Sequence, residues 1–397
     1  MRLHTLRWID KYIGLFLCFV LFCFQRIIKL FDFLPYRRSL PKPVRKILII
    51  KFWGFGSIVL ALDFLQLLRR NYPLAQIYAV TLRQNRKIYE MSGLCDGIAD
   101  IDIKQMPLFL FELIRLVFFI RRSAFDVAFD LEFTSRFSAF FTYLSGAKKR
   151  LGFKYSGAWR GACFTQELAF SEEKKLRHSY LDLAGLLIRN IILPDERIIL
   201  RIEQAARYNI EAFLDENGLI GIYPLIGINI NAGELSFLRR WPREYFVVLA
   251  QELISKYNAH LIFVGSKEDA PYVYETLKMV GFPENVHSLA GRAPLPDLAN
   301  LLGKLHLFIS NDSGPLHLAV YLNIPTISFF GPETPLIYGP EGDMHIVFYR
   351  NNPCSPCMRV KNYKYSHCDN DQACLKGITP ADVIEAIATR RVLSGAL

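Results

Sequence analysis

Asn311-Asp312-Ser313-Gly314 stands between an apolar run of strand length at 307–310 and Pro315, a residue suited to the first turn of a helix. Small polar residues at such a junction leave backbone N–H groups free where the helix dipole favours negative charge. The loop therefore suits a phosphate or pyrophosphate. An ordinary capped βαβ unit accounts for it equally well, with Pro325 closing the helix and Thr326–Phe330 as the next strand. A second suggestive turn, Lys51 to Ser57, follows the apolar stretch Lys46–Ile50. Its Gly54 and Gly56 would let a donor or acceptor approach the backbone closely. As a dinucleotide fingerprint it is incomplete: Val59 occupies the third glycine position and no acidic residue closes the strand at 77–81, which argues against NAD. Asp130 and Glu132 end a strand, where ligands of open α/β sheets bind, and either is a general-base candidate. Carboxylates that merely cap a loop are as frequent. Lys148 and Lys149, close to Arg150 and Lys154, suit contact with an anionic acceptor or form a solvated basic face.

The elements that must position these residues alternate. Strands are expected at Lys46–Ile50, 77–81, 99–103 and 126–130, with helices at 58–70, 108–121 and 135–144. After a polar helix at Gln204–Glu216 the alternation restarts with strands at 226–231, 260–264, 286–289, 307–310 and Thr326–Phe330. The last helix is capped by Thr379 ahead of Pro380. This pattern predicts an α/β protein with two Rossmann-like, doubly wound parallel sheets, in domains at 44–215 and 216–397 behind an N-terminal segment at 1–43.

A chain of 397 residues with 52% hydrophobic and 21% charged residues builds a large core and is not disordered. The formal charge of +11 favours acidic partners such as a membrane surface, nucleotide phosphates or an anionic glycolipid. No zinc-finger or aromatic-basic RNA pattern is present, so nucleic acid is not an expected partner. Residues 12–24 are uncharged and apolar, shorter than the roughly 20 residues needed to span a bilayer. Arg2, Arg7 and Lys11 precede this run, basic residues from Arg26 to Lys46 follow it, and no small-x-small cleavage site intervenes. The pattern predicts a membrane-associating helix at an anionic inner leaflet; a tilted span, or a helix packed on the fold, would fit the same residues. Cys354-x2-Cys357-x10-Cys368-x5-Cys374 partly has zinc-site spacing, but the second pair is not a CxxC, and free thiols are the default in a reducing compartment. No metal and no cofactor are expected.

The segments KILIIKFWGFGSIVLA, FDLEFTSRFSAFFTYLSGAKKRLGF, NINAGELSFLRRWPREYF, FVGSKED and SNDSGPLHLAVYLNIPTISFFGPETP, in that order, resemble glycosyltransferase family 9, the lipopolysaccharide heptosyltransferase family. The resemblance covers the chain from about Val44 onward. It implies a GT-B fold whose two domains face a cleft, with a nucleotide-sugar donor in the C-terminal domain and an acceptor in the N-terminal one. It also implies metal-independent, inverting transfer to a lipopolysaccharide-core or related glycolipid, with ADP-heptose as the family default. The expected place is the cytoplasmic face of the inner membrane, peripheral or N-terminally anchored. By resemblance, Ser313, Gly314 and His317 belong to the donor-phosphate site, with His317 as a neutral hydrogen-bonding ring and Asp312 capping backbone amides in the same loop. Arg239 or Arg240 corresponds to the basic residue that neutralises the leaving diphosphate, and Glu268 to the acid that recognises the nucleoside sugar. Ser57 stands where many members carry an aspartate taken as the general base, a role a serine hydroxyl does not fill unaided. Asp130, Glu132 and Asp63 are therefore the alternative bases. A nucleotide-sugar epimerase and a catalytically silent binding homologue are the competing functions.

Overall fold

The computed structural model describes residues 10–31, 43–103, 106–192, 197–233, 237–360 and 366–393. The chain divides into two compact units between Arg201 and Ile202.

The first unit is built on a six-stranded sheet of order β3-β2-β1-β4-β5-β6, parallel throughout. Its strands are β1 (Lys46–Ile50), β2 (Gln76–Leu82), β3 (Gly97–Ile101), β4 (Val127–Asp130), β5 (Lys149–Lys154) and β6 (Gln166–Ala169). Its helices are α1 (Leu15–Phe31), α2 (Phe55–Val59), α3 (Leu62–Asn71), α4 (Arg86–Ser92), α5 (Met106–Ser123), α6 (Arg136–Leu144) and α7 (Leu176–Gly185). Central strands covered on both faces read as unbroken apolar runs, and Ile47 to Ile50 are fully buried accordingly. The chain winds outward from β1 to β3 and then returns through β4 to β6. Right-handed crossovers therefore lay α5 and α6 together on one face of the sheet.

Two features differ from expectation here. The helix expected over 58–70 starts earlier, at Phe55, and breaks at Leu60-Ala61, so Gly56 and Ser57 are helical and only the residues before them form the turn. The basic stretch around residue 150 is strand β5: Leu151 and Phe153 are buried while charged side chains interrupt the apolar pattern. Gly152 is required there, because a Cβ would lie 2.5 Å from the Phe164 ring.

The N-terminal segment packs on this unit. A π-helical turn, Asp10–Gly14, leads into α1. The Asp10 carboxylate accepts from Ser135 Oγ (2.8 Å), Phe137 N (2.8 Å) and Arg136 N (3.2 Å), capping the start of α6. Cys18 is buried against Ala139 and Cys163, and Phe22 meets the Trp159 ring edge-on at 5.8 Å. The opposite face of α1 leaves Phe16, Phe19 and Val20 exposed. No helix among the described residues is long and apolar enough to cross a membrane. Much of the basic part of this segment, 1–9 and 32–42, lies outside the described residues.

The second unit carries a six-stranded parallel sheet of order β12-β11-β10-β7-β8-β9. The strands are β7 (Leu225–Asn229), β8 (His260–Phe263), β9 (Val286–Ser288), β10 (Leu307–Asn311), β11 (Thr326–Phe330) and β12 (His345–Tyr349). Helices α8 (Gln204–Glu216), α9 (Arg243–Tyr257), α10 (Ala270–Val280), α11 (Leu295–Leu302), α12 (Gly314–Tyr321), α13 (Pro335–Tyr338), α14 (Ala373–Lys376) and α15 (Pro380–Thr389) complete it. The boundary falls at 201 and not near 215 because α8 buries Ala206, Ile210 and Leu214 and packs on α11, with Asn209 Nδ2 donating to Asp297 Oδ2 at 3.1 Å. Strand β12 was not expected. Thr379 and Asp382 form a reciprocal capping box at the start of α15.

Trp241 is the central wedge of this core. It is fully buried, stacks on Phe329 at 4.3 Å and 10°, and donates from Nε1 to the Ile378 carbonyl at 2.8 Å. Trp241→Ala should lower unfolding free energy by about 3–5 kcal/mol, the cost of a large cavity, in urea titrations. A loss below about 1 kcal/mol would contradict this role.

Candidate functional site

In the second unit the carboxyl ends of the central strands β7 and β10 lie side by side, with Ser310 in register with Asn229. Asn229 Nδ2 donates to Ser310 Oγ (3.0 Å), Ser313 Oγ (2.9 Å) and the Asn231 carbonyl (3.2 Å). Asn311 Oδ1 accepts from Trp241 N at 2.8 Å, tying the loop after β7 to the end of β10. Ser313 is the extended N-cap residue of α12, but its side chain makes no capping bond and serves Asn229 and Ser310 instead. The start of α12 thus presents backbone N–H groups without a side-chain cap, and Pro315 supplies the fixed φ of the first turn.

Two arginines reach this edge. Arg239 Nη1 contacts Asp312 Oδ2 (3.1 Å) and the Asp312 carbonyl (3.2 Å), and its Nη2 donates to the Ala232 carbonyl. The Asp312 carboxylate, expected to cap backbone amides, holds this guanidinium, and its other oxygen lies 3.8 Å from His317 Nε2. Arg240 is sandwiched between the Phe237 and Tyr272 rings, 4.4 and 4.3 Å from their centroids, with Nη2 3.2 Å from Asp269 Oδ1. Arg239 Nε, Arg240 Nε and Asn231 Oδ1 are buried with no hydrogen-bond partner among the described residues. Buried polar atoms left unpaired mark a place where a ligand can supply the missing bonds. Asp312, Ser313, Gly314, His317, Arg239 and Arg240 are therefore brought to one sheet edge. Glu268 is exposed on the loop between β8 and α10.

The first unit builds a different arrangement at the ends of β1 and β4. Glu132 accepts from Lys51 Nζ (2.8 Å), Phe52 N (2.9 Å) and Trp53 N (2.8 Å), so one carboxylate pins the whole start of the glycine turn. Lys51 is itself buried and lies over the Phe133 ring. Asp130, with no exposed surface, accepts from Glu132 N (2.9 Å), Ser138 Oγ (2.8 Å) and Arg160 Nη1 (3.0 Å). Asp63 is paired with Arg177. The Ser57 hydroxyl donates to the Trp53 (3.0 Å) and Gly54 (2.7 Å) carbonyls. Gly54 has φ +80° and a Cβ there would lie 2.7 Å from Ser57 Oγ, so the turn needs glycine at this position. Each carboxylate read as a possible base is thus engaged in holding backbone or a cation. Lys148 and Lys149 are exposed at the amino end of β5, where Lys149 pairs in register with Val127. They lie at the opposite end of the strands from Gly54, Gly56 and Glu132.

Sequence reasoning placed Asn311 and Lys51 in their loops without a role, and missed Asn229, Asn231, Ser310 and Arg160. The asparagines carried a signal, since Ile228-Asn229-Ile230-Asn231 sets amides into an apolar run; Arg160 carried none. The C-terminal cysteines are free thiols, from exposed Cys354 to buried Cys374. Burial, with the Cys357, Cys354 and Cys368 thiols nearby, pushes the Cys374 thiol up to about 11. Among the described residues no group of His, Cys, Asp and Glu is placed to hold a metal ion.

Burial pushes the Asp130 carboxyl up to about 6, against the opposing pull of Arg160. An unfolded aspartate releases its proton near pH ~3.9, so between there and about 6 the folded chain holds more protons and stability falls as pH rises. The fall amounts to about 3 kcal/mol and levels off above that window. Urea titrations across the window should show a shallower fall in Asp130→Asn than in the native chain, the remainder coming from groups such as Asp10 that burial also raises; an unchanged slope in the variant would contradict it.

The sequence profile of glycosyltransferase family 9 (heptosyltransferase) matches residues 113–366, more than half of the chain. Lipooligosaccharide heptosyltransferase 2 of Haemophilus influenzae is 32% identical over 138 residues, 34% of this chain and 39% of that protein. The chain thus matches well under half the length of that curated relative. Among solved structures, a family 9 glycosyl transferase from Veillonella parvula shares the fold with a TM-score of 0.71 and 21% identity, covering 90% of this chain and 100% of its own. The E. coli ADP-heptose lps heptosyltransferase II shares it at 0.67 and 21% identity, covering 89% and 100%. With this profile covering β4–β6 of the first sheet and the whole of the second, the chain belongs to glycosyltransferase family 9 (heptosyltransferase).

Proposed function

We propose that the chain transfers a sugar, heptose by family default, from a nucleotide-diphosphate donor to a lipopolysaccharide-core or related glycolipid, with inversion and without a metal. The observation that carries this reading is the edge of β7 and β10: an α12 start without a side-chain cap, two arginines, His317 and three buried polar atoms with no partner. A sugar diphosphate fits that set, because its oxygens accept from N–H and guanidinium donors while a hydroxyl can donate to Asn231 Oδ1. Negative charge grows on the diphosphate as the glycosidic bond breaks, and cations fixed at a desolvated edge stabilise that charge. Arg239 is held for this by Asp312 and Arg240 by its two rings. ADP-heptose is supported as donor by the name of the E. coli relative. The exposed apolar face of α1 supports a peripheral place at the cytoplasmic face of the inner membrane.

Ser57 favours one rival reading, a binding homologue without turnover, because its hydroxyl is spent on two carbonyls. Incubation with ADP-heptose and deacylated or intact core acceptors separates the two: transfer supports the enzyme, and donor binding with no product supports the rival.

His317→Ala should weaken ADP binding roughly tenfold or more by calorimetry with an unchanged melting temperature, and Arg239→Ala should lower transfer by about 10²–10³. Native affinity and turnover in both variants would remove this site. Ser57→Ala should leave transfer within about threefold, since loss of a true general base costs about 10²–10⁴. A loss on that larger scale would return Ser57 to the chemistry.

A further inference from the structure

Helix α5 is built inside out for a water-facing helix. Its single acid, Glu112, is turned inward and held by Arg83 and the backbone N–H of Asp102. Its outward face carries Phe111 (64% exposed), Phe118 (65%), Leu110 and Ile114. The charged residues on that face are Arg115, Arg121 and Arg122, and no carboxylate accompanies them among the described residues of the helix. Leu110, Phe111, Ile114 and Phe118, at i, i+1, i+4 and i+8, share one side of the helix, so this is one patch and not scattered residues.

A second helix presents a matching face beside it. Both α5 and α1 pack on α6, one on each side, and Arg121 Nη1 reaches the Leu144 carbonyl at the end of α6 (3.5 Å). The outward side of α1 shows Phe16 (64%) and Phe19, with Lys11 exposed at its start. Helices α5 and α6 share one face of the first sheet, α1 packs on α6, and the exposed sides of α5 and α1 both carry apolar rings.

We propose that this α1–α6–α5 layer is a docking surface for an anionic bilayer, lying flat with the α5 and α1 rings in the headgroup region and the arginines on lipid phosphates. Charge decides the occupant: the exposed charges described on α5 itself are all cations and the chain carries +11, which complements an anionic lipid surface and repels a second copy of the same face. Neither helix is long and apolar enough to cross the bilayer, and amphipathic helices of this kind lie in the interface plane. The proposal deepens the reading of the chain as a membrane-surface enzyme by adding an element distant in sequence from the N-terminus, and it does not depend on the donor chemistry.

The test is flotation of the full chain with phosphatidylcholine vesicles, with and without phosphatidylglycerol. The native chain should bind the anionic vesicles, and Phe111→Ser with Phe118→Ser should weaken this roughly tenfold or more at an unchanged melting temperature. Arg121→Glu with Arg122→Glu should abolish the preference for anionic over neutral vesicles. Phe118→Trp should gain fluorescence quenched by brominated lipid, a readout independent of affinity. ADP affinity, measured in parallel, should stay native in all three variants, so loss of donor binding would count against the function and not against this surface. Unaltered flotation in the phenylalanine variant would overturn the proposal. So would absence of native binding, or a native dimer that the same variant splits into monomers.

Discussion

A strand in a parallel sheet must surrender its backbone groups at its carboxyl end, where the ladder stops and the chain turns into a helix. At the centre of a doubly wound sheet two such ends lie side by side and away from bulk water, so their polar groups need partners from the protein. Each unit answers this constraint differently. The first uses one carboxylate, Glu132, to collect Lys51 and two consecutive turn N–H groups, with Asp130 and Arg160 supporting it from below. The second uses neutral amides and hydroxyls, Asn229, Ser310 and Ser313, and places its charges one step further out on Arg239 and Asp312.

The difference has a functional logic. A buried carboxylate that already holds three donors has little left to offer a ligand, and it orders the turn that follows it. A neutral network leaves Ser313 making no side-chain cap at α12, and the Nε atoms of Arg239 and Arg240, unpaired among the described residues, keep donors in reserve. The second edge is thus the one shaped to receive an anion, while the first is shaped to hold its backbone still. Ser57 fits the same division: its hydroxyl secures the start of α2 on two carbonyls and adds no charge there.

Much of this was legible. Strands β1, β10 and β11 are buried on both faces and read as plain apolar runs, and the loop at Asn311–Pro315 announced its own turn chemistry. What was hidden was hidden for stated reasons. In β5 the charges at 149, 150 and 154 mask two buried side chains, whereas β12 was not expected although its run 346–349 is apolar and the strand is as long as its neighbour β11. The boundary at 201 depends on which sheet α8 covers, a tertiary fact that its own periodicity does not contain. Asp130 and Glu132 were correctly placed at a strand end, but their partners Lys51 and Arg160 lie about 80 and 30 residues away, beyond the reach of local pattern. The N-terminal helix read first as a membrane segment because it is apolar all round: Gly14, Cys18, Leu21 and Phe22 face the fold while Phe16, Phe19 and Val20 face outward.

That docking changes the mechanics of attachment. A segment joined by a loose linker would let the body tumble above a surface, whereas α1 is locked to α6 by the Asp10 carboxylate and the close seat of Gly14 against Arg136. A helical layer laid on a plane sets the sheet beneath it parallel to that plane. The strands of the first unit would then run along the surface, and their carboxyl ends, with the Gly54 turn, would open sideways like the mouth of a scoop at the level of the headgroups. An acceptor carried by lipid would arrive by sliding in two dimensions, with its angle of approach set before contact.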